Sequence, residues 1–167
     1  MLDPAKTTVS FMLHDVLHTV HGTFQLKSGA ITFNPIAGKA AGSVLVDATS
    51  GDSGNHGRDS RMHRDILESA KYPEISFVPT AVKGEIAPQG DSHVEIQGVF
   101  KLHGEEHETG IPADIHINGA ELTADLKFPL NYVKWGVKNP STFVLRVSDM
   151  VEIEIHAYGR LAPADPN

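Results

Sequence analysis

The sequence predicts an all-β protein: one up-and-down antiparallel β-barrel of about eight strands with one inserted helix. Three observations carry that expectation. Apolar residues recur at every second position along most of the chain, turn residues separate the runs, and a single stretch breaks the period. Such alternation marks a strand whose sheet is wet on one side only. At 167 residues the chain suits one domain with a sizeable core.

The elements follow in order. Val9, Phe11 and Leu13 alternate with Ser10, Met12 and His14, and Val20, Gly22, Phe24 and Leu26 alternate with His21, Thr23 and Gln25. The pattern returns at Ile31 and Phe33, then at Val44, Val46 and Ala48. Between Gly57 and Ala70, Met62, Ile66, Leu67 and Ala70 recur at helical spacing instead. Asn55 suits the start cap and Pro73 ends the segment soon after Lys71, so a helix is expected between Asn55 and Ala70. Alternation resumes with Ile75 and Phe77, then Val94, Ile96, Gly98, Phe100 and Leu102. Ile111, Ala113, Ile115 and Ile117 form the next run, and Leu122, Ala124, Leu126, Phe128 and Leu130 the one after. The last run sets Val151, Ile153, Ile155 and Ala157 against Glu152, Glu154, His156 and Tyr158.

Between the runs stand Asn34-Pro35, Gly38, Pro88-Gln89-Gly90, His103-Gly104, Asn118-Gly119 and Asn139-Pro140. Asn118-Gly119 reads as a two-residue hairpin. The domain covers 1–167, with the barrel expected over 6–158 and 159–167, containing Pro163 and Pro166, as a frayed tail. Strands with one apolar face can close into a barrel or stack as a sandwich. Antiparallel neighbours in sequence order favour the barrel. Eight strands can fill their interior with side chains or hold one small ligand, and periodicity does not choose between these.

Composition narrows the function. Fourteen basic against twenty-one acidic residues give a net charge of −7, which repels phosphate backbones and argues against a nucleic-acid partner. No apolar run approaches the ~18–20 residues of a membrane-spanning helix, so an integral membrane protein is not expected. The absence of cysteine removes disulfides, thiolate metal sites and thiol nucleophiles together. Met1-Leu2-Asp3-Pro4 lacks the pattern of a secretory signal. That leaves a cytoplasmic protein, or a mature exported chain restarted at a methionine.

Ten histidines raise the question of a metal. His14, His18 and His21, with Asp15 between, form the densest cluster, and a metal-dependent enzyme built on them is the competing reading. On a helix the spacing of His14 and His18 would put both on one face, as zinc proteases require. Here the flanks are strands and residue 15 is aspartate, so outward, solvated histidines are the simpler reading. His103 and His107 merely flank a turn. No Gly-x-Ser-x-Gly elbow occurs, and Gly51-Asp52-Ser53-Gly54 is flexible loop composition. No catalytic residue, metal or cofactor is therefore expected. Arg58-Asp59 allows two readings: a pair that caps the helix start, or Arg58, or His63, at the barrel mouth beside a ligand's polar head.

At this point the residues point to a family. Asn55, Arg58-Asp59, Met62-His63 and Lys71-Tyr72-Pro73-Glu74-Ile75-Ser76-Phe77 resemble the signature segment of the YceI-like family. Val20-His21-Gly22-Thr23-Phe24 is similar to that family's opening, Gly98-Val99-Phe100-Lys101-Leu102-His103-Gly104 to its central strand and turn, and Ser148-Asp149-Met150-Val151-Glu152-Ile153 to its last strand. The likeness runs from about Lys6 to Tyr158. Two stretches depart from it: Ile66-Leu67-Glu68, where an aromatic-rich stretch is usual, and Trp135-Gly136-Val137-Lys138-Asn139-Pro140-Ser141.

The resemblance implies a lipocalin-like barrel that binds polyisoprenoid chains, such as the tails of isoprenoid quinones or their precursors. It also implies export to the periplasm, and a homodimer is compatible with it. Phe11, Leu13, Val20, Phe24, Phe33, Phe77, Gly98, Phe100, Ala113, Leu126, Phe128 and Ile153 are the residues expected around the ligand. The small members of the inward sets, Gly22, Gly98, Ala113 and Ala124, should leave room that a filled core would occupy. Burying roughly 500 Å² of an apolar chain at ~25 cal/mol per Å² is worth about 12 kcal/mol gross. Association and ordering cost ~4–15 kcal/mol of that. Useful affinity can thus arise without a charged anchor. The expected function is to bind and carry or store a long apolar lipid, with no chemistry performed on it.

Overall fold

The computed structural model describes residues 1–15, 17–34, 36–141 and 147–161. Eight strands follow one another antiparallel and close into a barrel: β1 (Thr8–Asp15), β2 (Thr19–Asn34), β3 (Lys39–Asp52), β4 (Glu74–Lys83), β5 (Gly90–Leu102), β6 (Glu105–Asn118), β7 (Glu121–Asn131) and β8 (Val147–Arg160). β1 pairs with β2 on one side and β8 on the other, so no strand edge is left open.

The runs ending at Leu26 and starting at Ile31 belong to one strand of 16 residues. Leu26 pairs with Val46 but Ser28 pairs with Leu45, so Lys27 is an extra, bulged residue. One inserted residue flips the phase. Val20, Gly22, Phe24 and Leu26 are the more buried positions before the bulge, and Gly29 and Phe33 after it. β4 repeats the device at Thr80, because Pro79 pairs with Gly98 and Ala81 with Gln97.

Short turns close the hairpins. His103 and Gly104 join β5 to β6 with φ of 55° and 77°, the two positive angles a type I′ turn requires. On the other hairpin the loop is Gly119-Ala120 rather than Asn118-Gly119, because Asn118 still pairs with Glu121 as the last rung. Gly119 carries the positive φ of 63° at the first loop position.

The inserted helix is shorter than the spacing predicts. α1 spans His56–Arg61, with the Asn55 side chain accepting from the Arg58 amide as its cap. A wider, π-type turn, Met62–Ile66, follows. Glu68 then adopts a left-handed φ of 49° and turns the chain. Its carbonyl accepts the amides of Lys71 and Tyr72, both at 2.9 Å, and its carboxylate lies 2.8 Å from His103 Nε2. Ala70 is consequently exposed in a turn and not on a helical face.

Each barrel end has its own apolar packing. At the helix end, Leu102, Leu130, Tyr132, Trp135 and Val137 pack with Ile66, Leu67 and Phe100. At the opposite end, Val94, Ala113, Ile115, Ile117, Ala124 and Ala157 pack with Leu2. The Leu2 amide donates to Gly29 O at 2.8 Å, and Leu2 bridges to Gly159. A Cβ on Gly29 would lie 2.7 Å from Leu2 Cδ1, so the glycine is the seat of that side chain. Gly159 and Arg160 belong to β8 and not to the tail. Leu161 follows, its amide donating to Ala120 O at 2.8 Å, and residues 162–167 lie outside the described residues.

Candidate functional site

A cavity of about 810 Å³ runs inside the barrel and is lined from all eight strands and the helical insertion. That volume falls within the ~300–1,000 Å³ of small-molecule sites. Phe11, Leu13, Val20, Phe24, Phe33, Phe77, Phe100, Leu126, Phe128 and Ile153 all line it. The aromatic rings form an inner network, with centroid separations of 5.5 Å for Phe11–Phe24, 6.3 Å for Phe77–Phe100 and 6.4 Å for Phe100–Phe128. Trp135 backs it at 5.2 Å from Phe100. Tilted and edge-on rings at these distances hold one another in place.

Gly98 and Ala113 do not reach the cavity wall. A Cβ on Gly98 would run into the Val78 carbonyl oxygen and lie 2.7 Å from Phe77 Cζ and 2.9 Å from Pro79 Cα. The glycine admits the neighbouring strand and the Phe77 ring, so it leaves no free room. Gly22 does the same for the Phe11 ring, which a Cβ there would strike. Ala113 is 1% exposed and packed among Val94, Ile115 and Ile117. Of the four small residues expected to leave room, Ala124 does face the cavity, and Ala157 and Gly159 join it there.

Several lining residues sit in the same alternating runs yet were not singled out from the sequence: Val9, Val44, Val46, Ile96, Ile115 and Ile155. Periodicity alone would have found them. The contributions of Arg61, Met62, Ile66 and Leu67 could not be read that way, because they depend on how the insertion folds over the barrel end. Both departures from the family wording fall at this end. Ile66, Leu67 and Val137 line the cavity, while Trp135 is buried beside it.

Polar lining groups gather largely where the insertion meets the β1–β2 turn: Asp15, His18, Ser53, Arg58 and Arg61. Arg58 and Asp59 both engage Ser53, just ahead of the helix. Asp59 accepts the Ser53 amide at 2.9 Å and the Ser53 hydroxyl at 2.5 Å. Burial pushes its carboxyl up, and these bonds more than offset that, leaving it below the ordinary range. Arg58 donates from Nε to Ser53 Oγ and from Nη2 to Ser53 O, both at 2.8 Å, and still lines the cavity. Asp15 takes the amides of Leu17 at 2.7 Å and His18 at 2.5 Å, and the Leu17 bond above all lowers its carboxyl.

His63 does not belong to the mouth. Its Nε2 lies 2.9 Å from Gly51 O and its Nδ1 3.0 Å from Ser69 Oγ. A carbonyl can only accept, so Nε2 carries the proton and the ring ties the insertion to the end of β3. The histidine cluster also separates. His14 bonds Thr19 across the hairpin, His18 leans on Asp15, and His21 is exposed on β2 opposite Met12. Among the described residues no three His, Asp or Glu side chains are grouped to hold a metal ion. Nor is any helix there long and apolar enough to cross a membrane.

Known proteins resemble the chain in sequence and in shape. A UPF0312 protein of Pseudomonas savastanoi pv. phaseolicola is 30% identical over 129 residues, which make up 72% of this chain and 65% of that one. The chain thus spans less than two thirds of that relative's length. Protein YceI of Escherichia coli O17:K52:H18 is 36% identical over 89 residues, 51% of this chain and 43% of that protein. BcnA of Burkholderia cenocepacia superposes with a TM-score of 0.79 at 22% identity, covering 95% of this chain and 99% of its own. A polyisoprenoid binding domain from Saccharophagus degradans superposes with a TM-score of 0.77 at 17% identity, covering 97% of each chain. The profile of the YceI-like domain matches residues 1–158, from the segment that closes one barrel end to near the end of β8, and the chain belongs to the YceI-like family.

Proposed function

We propose that the protein binds one long apolar lipid of the polyisoprenoid class inside the barrel, and carries or stores it unaltered. The observation that carries this reading is the cavity itself, about 810 Å³ walled by Phe, Ile, Leu and Val from every strand. A packed interior would leave no such volume. The Saccharophagus degradans domain of the same shape is described as binding polyisoprenoid, which supports the choice of ligand class. An exported compartment suits the role, and a chain without cysteine is compatible with an oxidising or a reducing setting.

Lipid extraction of natively purified protein, followed by mass spectrometry, tests the proposal. The expected result is one isoprenoid-type lipid per chain, or uptake of added geranylgeraniol after delipidation. Protein that carries no lipid and refuses geranylgeraniol would contradict it. So would a stoichiometric metal that is lost when His14, His18 and His21 are replaced by Gln.

A further inference from the structure

The charged groups on the cavity wall run against the charge of the chain. The protein carries −7 overall, yet among the described residues Arg58, Arg61 and Arg160 line the cavity against the single carboxylate of Asp15. Two of these arginines stand three residues apart on α1, a spacing that places side chains on one helical face with Cβ atoms about 5–6 Å apart. Arg58 is held by Ser53 through Nε and Nη2, which leaves Nη1 uncommitted. Arg61 makes no hydrogen bond or ion pair among the described residues, and Asp65, four residues on, is paired with Arg64 at 3.0 Å.

Two acids at this end take their hydrogen bonds from donors other than these arginines. Asp59, between the two arginines in sequence, accepts from Ser53, and Asp15 accepts from the amides of its own turn. At the opposite end Arg160 lies 3.8 Å from Glu121. Of the three wall arginines, Arg58 and Arg61 have no carboxylate within ion-pair distance among the described residues, while Arg160 has Glu121. A guanidinium fork matches the paired oxygens of a carboxylate or phosphate, and a hydroxyl or ketone offers it far less.

We infer that the cavity takes a lipid with an anionic head, a carboxylate or a phosphate, held between Arg58 and Arg61 with its tail running toward Leu2. This rests on the lipid-binding reading above. The test is displacement of the neutral fluorophore N-phenyl-1-naphthylamine by geranylgeranyl phosphate, geranylgeranoic acid and geranylgeraniol, at low and high salt. These three ligands share one tail and differ in the head. Both acids should bind about tenfold or more tightly than the alcohol at low salt, with the advantage shrinking as salt rises. An advantage confined to the phosphate assigns the site to phosphate, and an equal one assigns it to charge alone.

Arg61→Gln should cut the advantage, and the Arg58→Gln/Arg61→Gln pair should abolish it. Lys134→Gln removes the same charge from an exposed residue at the same barrel end, outside the cavity wall and without an ion pair among the described residues, and should preserve it. Uptake of the fluorophore reports whether each variant keeps a formed cavity, and Arg61→Gln breaks no bond seen among the described residues. An alcohol that binds as tightly as the acids, or an advantage that survives the double substitution, would overturn the inference. Wild-type protein that takes up neither the fluorophore nor any of the three ligands would instead refute the lipid reading itself.

Discussion

Substituting Gly98 by alanine should damage the barrel, although the change adds one methyl group. The new Cβ would strike the Val78 carbonyl oxygen and sit 2.9 Å from Pro79 Cα, and Pro79 is among the most buried side chains of the protein. Only the third neighbour, Phe77 Cζ at 2.7 Å, can swing aside. Overpacking of this kind costs about 1–3 kcal/mol. In a domain of this size each kcal/mol moves Tm by roughly 2–4 °C, so a fall of roughly 2–12 °C is expected. Gly57→Ala is the matched control: its nearest non-neighbouring atom would be Asn55 Oδ1 at 3.5 Å, and the site is in α1. There the loss of unfolded-state freedom should stabilise by about 0.4–1 kcal/mol and raise Tm slightly. Thermal unfolding followed by far-ultraviolet circular dichroism reads both. A Gly98→Ala variant that melts at or above the wild-type temperature would refute the claim that the glycine exists to admit β4 and the Phe77 ring.

Ala124→Phe places a ring in the cavity and should weaken geranylgeraniol binding about tenfold or more, about 1.4 kcal/mol, while the circular dichroism spectrum stays that of a barrel; wild-type affinity would mean that the chain does not pass Ala124. Glu68→Ala should cost about 1–2 kcal/mol in denaturant unfolding by removing the 2.8 Å contact to His103, whose side chain is only 14% exposed. Glu68→Gly should cost less, since glycine accepts the φ of 49° without penalty, and equal losses would show that the left-handed turn stores no strain. Burial, and then the charge of Asp149, push the Tyr132 phenol up to about 12, while its hydroxyl donates to Ser148 O at 2.6 Å. Because the unfolded chain gives up that proton near pH 10, this stability is complete below about pH 10 and is lost as pH rises toward about 12, by about 1–3 kcal/mol. Denaturation midpoints at about pH 9 and about pH 11 should therefore differ more for wild type than for Tyr132→Phe, and equal slopes would contradict the assignment.

The alternation of apolar residues made most of the barrel legible. Phe100, Phe128 and Ile153 could be aimed inward from the sequence because β5, β7 and β8 keep one phase from end to end. Where a bulge interrupts the phase, reading fails locally. Val20–Leu26 and Ile31–Phe33 look like two strands because Lys27 shifts their parity, and only the pairing to β3 joins them. The helical insertion was visible in position and cap but not in length, since its end is set by Glu68 reaching His103, a contact 35 residues away. Gly98 misled for a related reason. A small residue on an inward face signals either a void or a neighbour that fills it, and the sequence does not say where the Phe77 ring lies. His63 was misplaced because its partners, Gly51 O and Ser69 Oγ, come together only through the fold. Arg61, exposed and in a polar stretch, carried no signal at all until α1 set it beside Arg58 at the cavity.

The central claim is that an apolar chain lies inside the barrel, and isotope-filtered nuclear Overhauser spectroscopy tests it most directly. Protein methyl-labelled at Ile and Leu would be saturated with unlabelled geranylgeraniol. Contacts from the ligand are expected to Ile115, Leu126 and Ile153, which line the cavity on three neighbouring strands, and none to Leu17, which is 74% exposed. Contacts confined to exposed methyls such as those of Leu17 and Ile36, with Ile115 and Ile153 silent, would place the ligand on the outer surface and contradict the account.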